Sequence, residues 1–207
     1  MGMTRKATER AGYHHGDLPA ALVEAAIELL DERGMERVTV REVARRAGVS
    51  PGAPFRHFAD RQALMTAVAD RVLAEFEEWQ TGQLTDVEGS LMYALGLGFV
   101  RFAIRHPHRF ELVKSRVFSR SRPTELHQRL SDIEQGLTDV IVADQESGVL
   151  RPGDPAAVGL AGQVVVYGLS QMILDGYLPP EKAEELAAQV LETFGAGIAN
   201  ARDSSGR

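Results

Sequence analysis

The chain has 207 residues, 44% hydrophobic and 25% charged, a balance that supports one or two globular domains with a real core. It contains no cysteine, which excludes disulfides and thiolate metal sites and predicts a cytoplasmic protein. The net charge of −6 is unevenly spread: residues 1–71 carry 11 Lys and Arg against 10 Asp and Glu, and residues 72–207 carry 12 against 19.

In chain order, Met1 to Gly12 holds Arg5, Lys6 and Arg10 without apolar periodicity, and reads equally as an arm that meets nucleic acid and as an ordinary solvated terminus. Asp17 is a helix N-cap with Pro19 in the first turn; Leu18, Leu22, Ala25, Ala26, Leu29 and Leu30 then recur at helical spacing up to Gly34. Thr39 and Glu42 form a T-x-x-E capping box, Val40, Val43, Ala44 and Ala47 mark an apolar face, and Gly48 stands where a left-handed residue ends that helix. Ser50 as N-cap and Pro51 at the first helical position open a second short helix, with Phe55 and Phe58 as its buried candidates. Pro54 removes the first intrahelical bond there, so the spacing predicts a 3₁₀-like start. Two short helices joined by a tight turn make a helix-turn-helix, whose second helix enters the major groove of DNA. Such a contact needs only a local basic face, so the acidity of the whole chain does not exclude it.

Asp60 caps a fourth helix that runs through Leu64, Val68, Val72 and Phe76 towards Trp79, and Thr81 to Asp86 breaks the pattern. The rest reads as helix: Glu88 to Arg105, Pro107 to about Phe118, Thr124 to Glu146 with a stop at Gly148, Asp154-Pro155 to about Leu174, and Pro179-Pro180 to about Asn200. Gly96 and Gly98 are read as permitting a kink or a close helix contact. No apolar run is read as long enough to span a membrane, no secretory leader is evident, and no membrane partner is predicted. The expected fold is all-α with about nine helices.

Several segments together resemble the DNA-binding domain of the tetracycline-repressor (TetR) family: Tyr13-His14-His15-Gly16-Asp17-Leu18, Glu32-Arg33-Gly34, Thr39 to Ala44, Ala47-Gly48-Val49-Ser50, Phe55-Arg56-His57-Phe58 and Ala63-Leu64. Arg105-His106-Pro107 with Phe110, and Gly168 with Leu174-Asp175-Gly176, are similar to the WHG-type subgroup, although Val166-Tyr167-Gly168 stands where that subgroup has Trp-His-Gly. The resemblance implies a three-helix DNA-binding domain over residues 1–62 and a helical ligand-binding and dimerisation domain over 63–207. It also implies a homodimer on a palindromic site in double-stranded DNA, most simply a repressor released by a small apolar or amphipathic effector. A helical enzyme or carrier with a helix-turn-helix scaffold, and a regulator that senses no ligand, stand as alternatives.

For DNA, Thr39 and Arg41 at a helix start can meet phosphate, and small residues at Ser50, Pro51, Gly52 and Ala53 let the backbone approach the bases. Arg56 is the one long basic side chain within the reading helix, hence the candidate for guanine readout, with a phosphate contact as the plainer alternative. His57 and Arg61 resemble the family's phosphate-contacting residues. Phe55 stands where the family usually has Tyr and can offer no hydroxyl.

Residues 101–129 are locally basic, with Arg101, Arg105 and Arg109 at i, i+4 spacing; a solvated stripe paired with Glu75, Glu77 and Glu78 is favoured over an anion-binding mouth. His106, His108 and His127 lack the spacing of a metal site, no catalytic motif or dinucleotide fingerprint is present, and neither enzyme activity nor cofactor nor metal is predicted. Bulky or polar residues on inward stripes are candidate ligand liners: Trp79, Tyr93, Leu97, Phe102 and Phe110, then Phe118, His127, Gln163, Tyr167 and Met172. The last two helices are apolar over more than one face, so dimer contacts are expected from Val158, Ala161, Gly162, Val165 and Leu169 on the first, and from Leu186, Val190, Leu191, Phe194 and Ile198 on the second.

Overall fold

The computed structural model describes residues 17–117 and 123–199, and over these it is built from eight α-helices and short 3₁₀ turns, with one isolated bridge between Leu150 and Ala199. The N-terminal arm, the Tyr13 to Gly16 segment and Phe118 lie outside the described residues.

Helix α1 (Leu18–Arg33) begins where the Asp17 carboxylate accepts the Ala20 N–H at 3.2 Å and ends at Gly34, whose φ of 75° suits a residue without Cβ. Helix α2 (Val40–Arg46) starts where the Thr39 hydroxyl accepts the Glu42 N–H at 3.2 Å. The capping box is half made: the Glu42 carboxylate does not return to Thr39 but takes Arg33 and Arg45, and the Arg45 hydrogen bond holds it below the usual carboxylate range. Gly48, at φ 70°, then turns the chain.

The segment after the turn is not an α-helix. Residues 51–53 are turns and Pro54–Arg56 is a single 3₁₀ turn, so the eight helices stand in place of the expected nine. The physical reason is Pro54: it has no N–H to give to the Ser50 carbonyl, which instead takes Ala53 N–H at 3.0 Å, and the bonds that follow are mostly of the i to i+3 kind. Pro54 is itself buried, and at about three residues per turn its neighbour Phe55 is carried outward, 57% exposed, against its expected burial.

Helix α3 (Arg61–Gln83) is capped by Asp60 and carries Leu64, Met65, Val68, Ala69 and Val72 into one core with α1 and α2. Helix α4 (Leu91–Arg105) crosses it closely at Gly98, where a Cβ would lie 2.5 Å from Gln83; Trp79 Nε1–H donates to the Gly98 carbonyl at 2.8 Å, and Gln80 donates to Leu95 at 3.1 Å. Helix α5 (Pro107–Val117) lies against α1 and α3, and α6 (His127–Glu146) follows a 3₁₀ turn. Helices α7 (Pro155–Leu174) and α8 (Ala183–Ile198) close the bundle over α4. Helix α7 corrects one expectation: its 20 residues carry no charge and are long and apolar enough to cross a membrane. Here its inner face packs instead, with Gly159, Gly162, Val166, Leu169 and Ile173 buried against α4, α6 and α8.

The N-terminus of α4 rests on a long-range contact. Asp144, on α6 and 1% exposed, accepts the Ser90 hydroxyl at 2.8 Å and the N–H groups of Leu91 and Met92 at 3.0 Å each. It satisfies orphan donors that the helix cannot pair itself, and its charge sits at the positive end of the helix dipole.

Candidate functional site

Residues 39–57 build a reading surface from backbone geometry upward. Thr39, Arg41, Ser50, Pro51, Gly52, Phe55, Arg56 and His57 are exposed, and Ala53 is half-buried. Among the described residues, no hydrogen bond or ion pair engages the side chains of Arg41, Arg56 or His57, so both guanidinium groups are free to take phosphate or base acceptors. Arg45 and Arg46 are engaged instead, Arg45 with Glu42 and Arg46 with Glu28 and Glu32 of α1. Arg61 departs from the role its resemblance implied. Its guanidinium turns inward and donates to the carbonyls of Val38 and Met35, each at 2.6 Å, pinning the start of α3 to the chain that precedes α2.

Behind this surface lie two adjoining cavities of about 570 and 310 Å³, which share Phe76, Phe99, Ile133 and Gln163. The larger is mainly aliphatic, walled by α4, α6, α7 and α8 with Met92, Leu137, Leu150, Val166 and Leu191; Tyr93, Gln163 and Gln80 are among its polar groups. The smaller mixes five aromatic rings with aliphatic side chains, among them Leu73, Val113 and Leu130. Of the expected liners, Tyr93 falls on the larger cavity, Phe102, Phe110 and Tyr167 on the smaller, and Gln163 on both. The others are placed elsewhere. Trp79 packs on Phe102 under Arg105, Leu97 packs among Val100 and Leu169, His127 is exposed at the start of α6, and Met172 is exposed on the outer side of α7. Residues the sequence reading missed, Phe76, Phe99 and Ile133, lie between the cavities; their helical spacing alone could mark them only as core.

Among the described residues of the basic stretch, four cations are paired with carboxylates. Arg109 takes Asp31 of α1 at 2.6 Å and also Glu75 of α3, Arg129 takes Asp70 and Glu77 at 2.6 Å, Arg101 takes Glu184 and Lys114 takes Glu111. Glu75 and Glu77 are among the partners, as the paired-stripe reading expects, but Arg109 and Arg129 are half-buried between helices rather than solvated. Beside Arg109, the His106 imidazole is pushed below its ordinary value by burial first and by the Arg109 charge second, and Asp31 opposes this weakly. A depressed histidine favours the neutral form in the folded chain, so its contribution is complete above the ordinary histidine value near 6.5 and is lost as pH falls through the folded value. The wild type should therefore lose more stability between pH 7 and 5 than His106→Asn does, as read by urea midpoints at each pH; parallel pH profiles would rule His106 out.

The outer face of α7 differs from the expected dimer surface. Gly162, Leu169 and Leu191 are buried within the protomer, and a Cβ at residue 162 would lie 2.5 Å from Met92. Val158, Val165, Leu186, Phe194 and Ile198 are half-buried, and Ala161 and Val190 are exposed. The large apolar side chains that do face outward are Leu160 at 64%, Val164 at 65% and Met172 on α7, Tyr177 just beyond it, and Val190 on α8. On α7, Leu160, Val164 and Met172 fall on one i, i+4, i+12 stripe, which the sequence alone cannot single out because α7 has a second apolar stripe.

Residues 22–68 match the family described as bacterial regulatory proteins, tetR family, and residues 92–194 match the tetracyclin repressor-like C-terminal domain; the latter span contains the Arg105 to Phe110 and Gly168 to Gly176 segments. The chain is 29% identical to the HTH-type transcriptional repressor KstR2 of Mycobacterium tuberculosis over 140 residues, which covers 63% of this chain and 68% of that one. It is 34% identical to the A-factor receptor protein of Streptomyces griseus over 88 residues, or 42% of this chain but only 29% of that protein. Among solved structures, a protein of unknown function from Rhodococcus sp. RHA1 superposes with a TM-score of 0.81 at 25% identity, covering 92% of this chain and all (100%) of the other. The ketosteroid regulator KstR2 of M. tuberculosis superposes at 0.60 and 21% identity, over 92% and 98% of the two chains, a likeness of fold.

Proposed function

Because this chain belongs to the TetR family of bacterial regulatory proteins, we propose that it is a homodimeric transcriptional repressor that leaves a palindromic DNA site when a small apolar or amphipathic molecule enters its C-terminal cavities. In this reading residues 1–62 hold the operator, and residues 63–207 hold the effector and the partner subunit. The observation that carries it is the double duty of α5. Phe110, Val113 and Lys114 line the smaller cavity, while Arg109 on the same helix clamps Asp31 of α1 and Glu75 of α3. A ligand that moves α5 therefore moves α1, on which the helix-turn-helix is seated, and a state with wrongly spaced reading segments becomes favoured. The two cavities favour this reading over a regulator that senses nothing, and neither named relative is described as an enzyme or carrier.

One chain supplies one reading segment, and a two-fold site needs two, roughly 34 Å apart. The outer face of α7 suits the contact between copies. A helix that crosses its own copy at a two-fold axis meets like with like, so any charge there would oppose itself. None of the 20 residues of α7 is charged, and Leu160, Val164 and Met172 are already exposed.

Selection of bound sequences from a random DNA pool, followed by a compound challenge, tests the reading directly; failure to enrich any sequence would refute it. On the selected site, Arg56→Ala is expected to lower affinity by about 1–3 kcal/mol and to relax one base position. Uniform weakening on all sequences would reduce Arg56 to a phosphate contact.

A further inference from the structure

The smaller cavity is ringed by a continuous chain of aromatic contacts. Phe102 meets Phe76 at 5.2 Å between centroids, Phe76 meets Phe99 at 5.7 Å, Phe99 meets Phe110 at 5.9 Å, and Phe110 meets Tyr167 at 5.6 Å; all five rings line the space. Its positive charge is already spent, since Lys114 Nζ donates to Glu111 at 2.6 Å and to Gln171 at 2.9 Å. Ring edges and faces so arranged complement another flat ring by offset or edge-on stacking. A cavity of about 150 Å³ holds one benzene ring, so the 310 Å³ here is room for two.

The wall is incomplete in one protomer. Leu160 and Val164 line this cavity, yet each is about two-thirds exposed, so the cavity opens through the outer face of α7. That is the uncharged face assigned above to the second copy. We infer that the smaller cavity is a composite site for a flat, uncharged, two-ring aromatic molecule, walled by five rings of one protomer and closed at α7 by the partner subunit. This rests on the homodimer proposed above. It gives the site a property that a cavity within one chain lacks: ligand residence and subunit association stabilise each other by linkage.

The test uses 2-naphthol as the probe, titrated calorimetrically into the full chain, with light scattering on the same samples. The expected result is one molecule bound per protomer of a dimer, at least tenfold tighter than 1-decanol. Val164→Glu, which should be monomeric, is expected to bind 2-naphthol at least tenfold more weakly, and Met172→Glu, exposed on α7 but outside this cavity, should do the same once monomeric. Val113→Trp, which fills the smaller cavity away from the α7 face, should abolish binding while the mass stays dimeric, with Val113→Phe in its place should the larger residue prevent folding. Leu137→Trp, which fills the larger cavity, should leave binding unchanged. Equal affinity in the Val164→Glu monomer would overturn the shared wall, and equal affinity for 1-decanol would overturn the aromatic ligand class. Binding that survives at Val113 but is lost at Leu137 would move the site to the larger cavity and overturn the inference. A wild-type monomer would instead sink the dimer on which the inference stands, and the mass alone separates that failure from the others.

Discussion

Val164→Glu is expected to convert the protein from dimer to monomer at micromolar concentration and to cost it operator affinity by about 10²–10⁴-fold, the gain that joining two reading units confers. Val164 is 65% exposed in the protomer, so a carboxylate there is solvated in the monomer and costs the fold little. Across a two-fold contact the same carboxylate would be desolvated and opposed by its own copy, which an uncharged helix cannot compensate. Leu160→Glu, one turn away and 64% exposed, should behave alike. Leu191→Arg is a poorer probe, because Leu191 is 5% exposed and packs on Gly96, so its loss of DNA binding could follow from unfolding. Light scattering and circular dichroism, read beside a gel shift on the selected site, separate the cases. A dimeric Val164→Glu, or a monomer that keeps full affinity for a palindromic site, would show that α7 faces solvent in the working protein.

What the sequence made legible was local. Caps at Asp17, Thr39, Ser90, Asp60 and Asp154 act within two or three residues; four of them lie at or next to helix starts read in advance, while the Ser90 cap moved the start of α4 from Glu88 to Leu91. Pro54 announced its own effect, though the disruption took the whole reading helix rather than its first turn. What stayed hidden depends on groups far apart in the chain. Nothing near Arg61 indicates that it will turn to carbonyls 23 and 26 residues earlier. Helix α7 was unreadable for a different reason: without one charged residue in 20, periodicity cannot say which apolar stripe is core and which is surface. The cavities belong to neither class, since a residue beside empty space and one packed solid carry the same spacing.

Asp144→Ala is expected to produce the largest loss of stability among single substitutions outside the apolar cores, about 3–4 kcal/mol. The carboxylate accepts three hydrogen bonds, two from backbone N–H groups that have no intrahelical partner, and it is 1% exposed, so no water can replace it without opening the packing. Alanine would leave the Leu91 and Met92 donors unpaired and remove the negative charge from the α4 N-terminus. Asp144→Asn keeps one acceptor oxygen and should cost about half as much. For a chain of this size the alanine variant should melt roughly 6–16 °C lower. The consequence reaches function through place: Ser90 and Met92, which the carboxylate holds, line the larger cavity, and α4 also carries Phe99 and Phe102 to the smaller one. Calorimetric unfolding of both variants would settle the ranking. A loss under 1 kcal/mol for Asp144→Ala would mean that the α4 terminus finds other acceptors, and that the cavities are held open by packing alone.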